Sequence, residues 1–374
     1  MSLQHLLAIA QKEVAHILRD PWTLSLVLFT PLLTLMLMAY ALTVEIRHVP
    51  IAVLDHDRSR ASRTFVSQVT AGVDLDLHGH VQGLDEIDDL LARGEIKGAL
   101  IIPPTFAEDV ASLRGMPLQI IIDGTEPESG GFAVEQIGRR AEEFASAALV
   151  SALGSSVETL RPIDLRVRTW YNPSLEPRVD LIPGLISMVL AFPALSVALT
   201  LAREREHGTL EQLLATPIGR GELMLGKILP YVFVGLANVI LMTGVALAWF
   251  EVPFRGNFTL FFALSAIFMF AILSMGVLVG VFMRTQAAAL ALSFLLLFFP
   301  GFFLTGIFFP ITAMPEIARL EAMGLPGTHY AIITRGVFLP GVGIDVLWPY
   351  AVMLLFLGVV FTLMATLFFR KKIG

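Results

Sequence analysis

The chain has 374 residues, with 26 Lys+Arg against 32 Asp+Glu for a formal charge of −6, and it contains no cysteine. Hydrophobic residues make up 55% and charged ones 16%, at a mean hydropathy of +0.74; a water-soluble domain carries roughly a quarter charged residues, so most of this mass belongs in a membrane. The acidity argues against a nucleic-acid binder, which needs a basic face, and the lack of cysteine excludes disulfides, thiolate catalysis, Cys-ligated zinc and iron–sulfur clusters.

Residues 1–21 read as an amphipathic helix. Leu3, Leu6, Leu7, Ala10, Val14, Ile17 and Leu18 keep helical spacing, Gln4, Gln11, Lys12 and Arg19 lie off that stripe, and Asp20-Pro21 breaks it. Such a helix lies flat in the membrane interface as an elbow bracing the first span, or packs on other protein. A bilayer core of about 30 Å asks for about 20 apolar residues per helix. Six stretches qualify: Trp22–Leu42, Leu181–Leu201, Ile228–Phe250, Phe258–Phe282, Ala287–Phe309 and Trp348–Phe369. None holds an Asp, Glu, Lys, Arg or His within those limits, and Pro31, Pro183, Pro193, Pro230 and Pro300 predict kinks. Ala39-Tyr40-Ala41 imitates a signal-peptide cleavage site. The apolar stretch before it exceeds the roughly 7–15 residues of a signal peptide's core, which favours an uncleaved anchor. Lys12, Arg19, Arg203, Arg205, Arg220, Lys227, Arg284, Arg370, Lys371 and Lys372 fall on one side of the membrane, and among the short loops opposite only Arg255, Arg319 and Arg335 do. That bias places both termini in the cytoplasm.

Residues 43–180 then form a large extracytoplasmic loop with 13 Lys+Arg against 22 Asp+Glu, a charge of −9. Its pieces alternate. Strands are expected at Ile51–Asp55, Val73–Val81, Gly98–Ile102, Leu118–Ile122 and Ile163–Tyr171, and helices at Ser59–Ala71, Leu84–Arg93, Phe106–Leu113 and Ser129–Glu158. Strands alternating with helices make a folded α/β domain. Asp55-His56-Asp57 and His78-Gly79-His80 have metal-ligand chemistry but no third ligand at fixed spacing, so they read as turn and surface residues. Asp85, Glu86, Asp88 and Asp89 suit the start of a solvated helix.

Gly221 to Lys227 (GELMLGK) matches most of a phosphate-binding loop, but Ile228 stands where a magnesium-binding hydroxyl belongs and no strand precedes it. The chain is therefore expected to bind no cofactor or metal and to hydrolyse no ATP itself. Serine- and zinc-protease signatures are missing. Ion-coupled transporters need ionisable groups at membrane depth, whereas the deep polar groups here are neutral: Ser187, Ser196, Asn238, Thr243 and Ser293. Energy for uphill transport would come from a partner. Asn238, Thr243, Ser293 and Phe298 are the candidate wall of a substrate path, although phenylalanines in the fourth and fifth spans equally suit lipid contact or helix packing.

Residues 202–227 (AREREHGTLEQLLATPIGRGELMLGK) form a short charged loop. Thr209 to Glu211 can open a small amphipathic helix carrying Leu210, Leu213 and Leu214, ended by Pro217, and suited to a groove on a soluble protein. The stretch REREHGTLEQLLATPI resembles the loop after the second span in permease subunits of ABC-2 type exporters. KEVAHILRDP resembles that family's elbow helix. The segment 302–347, from LTGIFFP to the Arg335-Gly336 ending, resembles its external re-entrant part. The resemblance implies a mainly α membrane protein with an elbow helix (1–21), a first span (22–42), an extracytoplasmic domain (43–180) and five further spans (181–374). It further implies that Arg203, Glu204, Arg205, Gly208, Thr209, Glu211 and Leu214 serve coupling to a separate cytoplasmic ATPase, which uses ATP and Mg. His207 departs from the Arg or Lys expected there. Two permeases, as a homodimer or with a sibling, would work in the bacterial inner membrane, in contact with lipid, and the outside domain's size suits a periplasmic adaptor as a further partner. The substrate class implied is apolar or amphipathic. A membrane sensor whose outside domain binds a ligand is the alternative, and its weak point is the lack of a sizeable inside output domain; an anchored extracytoplasmic enzyme is the third reading.

Overall fold

The computed structural model describes residues 3–42, 48–112, 115, 117–125, 127–153, 171–172, 176–209 and 218–369. Its contacts divide the chain into two units, Met1–Val44 with Arg168–Gly374, and Glu45–Val167.

The chain begins with α1 (Leu3–Arg19), which stops where Asp20-Pro21 withholds a backbone donor. Three helical pieces follow without a break: α2 (Pro21–Leu24), a π-helical turn (Ser25–Phe29) and α3 (Thr30–Leu42). The π turn has a cause in the sequence. Pro31 cannot donate to the carbonyl of Val27, four residues back, and an unpaired carbonyl in an apolar interior costs several kcal/mol, on the order of 2–7. Asn238 answers it, its Nδ2 donating to Val27 O at 2.6 Å.

The Glu45–Val167 unit is an α/β sandwich. In chain order it runs β1 (Val49–Asp55), α4 (Arg60–Val69), β2 (Leu75–His80), α5 (Leu84–Ala92), β3 (Gly98–Ile102), α6 (Phe106–Ala111), β4 (Gln119–Ile122) and α7 (Pro127–Leu153). The sheet order is β2-β1-β3-β4, with β4 antiparallel to β3 and the other pairs parallel. Alternation along the central strands makes two cores. Val49, Ile51, Val53, Leu100 and Ile102 meet Phe65, Phe106 and Ile137, while Ala52, Leu54, Ala99 and Ile101 meet Ile87 and Ile96. The strand expected at Ile163–Tyr171 and the helix beyond Leu153 lie outside the described residues. Asp55 ends β1 and caps the turn after it, its Oδ1 accepting from the backbone of Asp57 and Arg58, and His78 lies 3.7 Å from Glu95.

The second span is two helices, α8 (Pro177–Val189) and α9 (Phe192–Glu206), interrupted at Leu190-Ala191 just before Pro193. It is the core of its unit: 94% of its most apolar stretch is buried, against 22% to 61% in the other five. The third span is α10 (Arg220–Ala248) and the fourth α11 (Phe258–Phe282). The fifth is α12 (Gln286–Ser293), a π turn (Phe294–Phe298) and α13 (Phe299–Phe303), so this π turn, like the first, ends two residues before a proline, Pro300. A 3-10 turn (Ile311–Ala313), α14 (Glu316–Met323) and α15 (Pro326–Phe338) lead to the sixth span, α16 (Ile344–Phe368). All six are long and apolar enough to cross a membrane.

Glycine spacing sets the tightest helix contact. A Cβ on Gly276 would strike the Ala194 carbonyl, and one on Gly280 would stand 3.0 Å from Ala198 O. This G-x-x-x-G stripe lets α11 lie backbone to backbone on α9. Of the fourth-span aromatics, Phe258 and Phe282 are exposed, whereas Phe268 packs inside, stacking at 4.0 Å on Tyr330, whose hydroxyl is 2.7 Å from Ser265 Oγ. Phe294, Phe299 and Phe303 of the fifth span face outward.

Candidate functional site

The last turn of α9 reads Arg203, Glu204, Arg205, Glu206. Successive residues on a helix point about 100° apart, so four consecutive charges fan around the axis, and each meets a different element. Arg203 Nη1 donates to Asp20 Oδ2 at 2.9 Å, at the start of the first span. Arg205 Nη1 donates to Val281 O at 2.7 Å and Met283 O at 3.0 Å, placing a cation on the negative end of α11. Glu206 accepts from the Gln286 backbone at 3.0 Å and its side chain at 3.2 Å, placing an anion on the positive end of α12.

Glu204 points inward and is 8% exposed. Lys12 of α1 donates to its Oε1, and Lys227 Nζ of α10 lies 2.7 Å from its Oε2. Lys227 also donates to Glu13 Oε1 at 2.8 Å, and both of these side chains are 1% exposed. Lys12 Nζ approaches the same Glu13 oxygen at 3.4 Å. Two carboxylates and two ammoniums thus neutralise one another at the meeting of α1, α9 and α10. Burial opposes the charge on Lys12, but the hydrogen bond and attraction from Glu204, with Glu13 behind it, outweigh burial and hold the ammonium above its ordinary pKa. Beside this cluster, His5 Nδ1 lies 3.2 Å from Glu222, which closes the start of α10 by accepting from Gly219 N at 2.9 Å.

α9 ends at His207, whose ring nitrogen lies 2.9 Å from Arg203 O, and the chain leaves through Gly208 at φ +72°. That left-handed position is the usual glycine exit from a helix. Thr209 Oγ1 then donates to Glu204 O at 3.1 Å. Glu211 and Leu214, with the short helix expected there, lie outside the described residues.

One expectation needs correction. The charged loop is not 202–227, because Ala202–Glu206 continues α9 and Arg220–Lys227 begins α10, leaving 207–219 as the connector. The GELMLGK stretch is helical and its lysine is buried in ion pairs, so it cannot wrap a phosphate. The four candidate path residues are all buried in the chain's own packing. Asn238 is buried against Val27, Thr243 is buried further along α10, and Ser293 and Phe298 are buried on the fifth span, with Phe298 against Phe192 at 4.6 Å. Sequence reading missed Glu13 and Lys227. Their signal was a charge on an otherwise buried stripe, with Ile9 and Ile17 one turn either side of Glu13 and Met224 and Ile228 beside Lys227. Among the described residues no three His, Asp or Glu side chains gather as a metal site.

Residues 21–367 match the family described as ABC-2 family transporter protein. The chain is 30% identical over 376 residues to the probable multidrug ABC transporter permease YbhS of Escherichia coli, with 96% of each chain covered. It is 29% identical over 384 residues to the inner membrane transport permease YhhJ of the same species, covering 100% of this chain and 98% of that one. A third relative, the probable multidrug ABC transporter permease YbhR, is 25% identical over 367 residues, with 97% of each covered.

Proposed function

The chain belongs to the ABC-2 transporter family, and we propose that it is the permease subunit of an ATP-driven exporter, worked by a separate cytoplasmic ATPase that docks on residues 207–219. In this reading the chain sits in a bacterial inner membrane with both termini in the cytoplasm. Two permease chains, alike or siblings, enclose the path, and the α/β unit stands outside, where a periplasmic adaptor would meet it. ATP and Mg belong to the ATPase. The cargo is apolar or amphipathic, in keeping with the multidrug names of two relatives and with spans whose deep polar groups are neutral.

One observation carries the reading. The last turn of the second span grips α1, the first span and the third, fourth and fifth spans through one residue each or a shared cluster. A load applied at Thr209, bonded to the Glu204 carbonyl, is distributed at once to five elements. A loop serving only as a connector has no use for such a hub. ATP closure of the partner would draw two such hubs together and favour an outward-open state, and hydrolysis would release them.

Co-purification tests this. The complex is extracted in mild detergent through a tag after Gly374 and searched by mass spectrometry for an ATPase with an intact phosphate loop. Glu211→Lys and Leu214→Asp are expected to lose that subunit while keeping the wild-type unfolding midpoint. Glu204→Ala is the poorer probe, since burial of Glu204 makes its loss a folding defect as well. Retention of the ATPase by both loop variants, or its absence under conditions that preserve a comparable complex, would sink the proposal.

A further inference from the structure

Helix α1 has three faces rather than two. Ile9, Glu13 and Ile17 are buried against the protein, Lys12 and His5 reach ion-pair partners, and Leu7 and Val14 stay 46% and 43% exposed. The apolar stripe in the sequence is wider than the buried one because it serves two neighbours. Gly226 explains how closely α1 approaches α10, since a Cβ there would stand 2.8 Å from Ile9. Along the exposed side the two helices leave an open groove of about 510 Å³. Leu7, Ala10 and Val14 form one wall, Pro230 and Phe233 the other, and Arg19 stands at one end.

Arg19 is exposed and has no acidic partner among the described residues. Its neighbour Asp20 is engaged by Arg203. From Leu7 to Arg19 the helix rises about 18 Å, long enough to line an acyl chain, whose extent is about one leaflet, half of about 30 Å. Pro230 and Phe233 lie in the apolar part of the third span, with Phe233 66% exposed, so the groove opens at the level where acyl chains begin. An apolar trough ended by a free guanidinium matches a molecule with a long hydrocarbon tail and a phosphate head.

We propose that this groove is a binding site for an anionic phospholipid of the leaflet on which α1 lies, its acyl chain along Val14 and Phe233 and its phosphate on Arg19. The bound lipid holds α1 on α10, and α1 in turn delivers Lys12 and Glu13 to the buried ion cluster. The lipid is therefore a structural part of the hub. The inference needs only a membrane-spanning chain, so its failure would leave the exporter reading untouched.

The test is lipid retention by native mass spectrometry, after reconstitution in phosphatidylethanolamine with or without phosphatidylglycerol and a detergent wash. The wild-type chain should keep one phosphatidylglycerol and release phosphatidylethanolamine. Arg19→Gln should weaken phosphatidylglycerol retention about fivefold, the effect of one basic side chain at a membrane surface. Ala15→Trp, at an exposed position lining the groove, should displace the lipid altogether, and Arg93→Gln on the α/β unit should change nothing. Equal retention of the two lipids by the wild-type chain, or an Ala15→Trp chain that folds and still holds its phosphatidylglycerol, would overturn the proposal. So would capture of a second copy or of a neutral amphiphile in the lipid's place.

Discussion

Lys227→Met is the sharpest probe of the ion cluster. The substitution keeps the side chain's length and apolar stem and removes an ammonium that lies 2.8 Å from Glu13 Oε1 and 2.7 Å from Glu204 Oε2. At an effective dielectric of about 20, each contact is worth about 6 kcal/mol of raw Coulomb attraction, most of it offset by desolvation of the three groups. What remains after deletion is the asymmetry. Two buried carboxylates are left with Lys12 alone, whose side chain is 47% exposed. Stranding a buried charge in this way costs about 3–5 kcal/mol, a drop in unfolding midpoint on the order of 10 °C. Adding Glu13→Gln restores neutrality, because Glu204 keeps Lys12, and should return about 2 kcal/mol. Tryptophan-fluorescence melts of the four chains of this cycle, in one detergent, measure the coupling directly. A Lys227→Met chain within about 1 kcal/mol of wild type, or strictly additive single variants, would show that the four charges do not depend on one another.

Three further outcomes follow from the packing. Asn238→Leu should cost about 1–3 kcal/mol by orphaning Val27 O, and Pro31→Ala in the same chain should recover much of it by returning an N–H; melts that leave the double variant no better than the single would refute the proline account of the first π turn. Gly276→Ala should abolish accumulation of folded protein, since its Cβ meets backbone rather than a movable side chain, whereas Gly244→Ala, with open space around it, should be neutral; comparable yields by size-exclusion chromatography would count against the close α9–α11 approach. The raised pKa of Lys12 means its contribution is complete below the ordinary lysine value, about 10.4, and fades only as pH rises through the raised one. Midpoints followed into strongly alkaline solution should fall more steeply for wild type than for Lys12→Met, and parallel curves would contradict that sign.

The apolar spans were legible because continuous hydrophobicity is a local property, and so were β1 and β3, whose β-branched runs are short and bounded by turn residues. The helix ends were not. Arg203–Glu206 and Arg220–Lys227 carry charge, and charge beside a span reads as a solvated loop. Here it is satisfied by residues far away in the chain, 214 positions in the case of Glu13 and Lys227. Asn238 was ambiguous for the same reason. A lone amide in a span suggests a polar path, while its actual obligation is to a carbonyl that Pro31 left open 211 residues earlier. Each half of such a pair is ambiguous alone, and only the fold supplies the other half.

The second span is tied at both ends, and the two ties are different. α9 is held by the ion cluster and by the caps on the fourth and fifth spans. α8 is held by Arg335 of α15, whose guanidinium donates to Asp180 at 2.9 Å and to the carbonyls of Gly306 and Ile307 at 2.7 and 3.1 Å. Between them lies the interruption at Leu190-Ala191, with Pro193 removing a further backbone donor. Helical hydrogen bonds transmit axial displacement because each turn is bonded to the next; where that ladder is interrupted, bending is cheaper than anywhere else along the segment. A movement of the connector therefore carries α9 and its five partners as one body. The strain collects at Leu190-Ala191, against an α8 that Arg335 keeps bound to the loop after α13 and to α15.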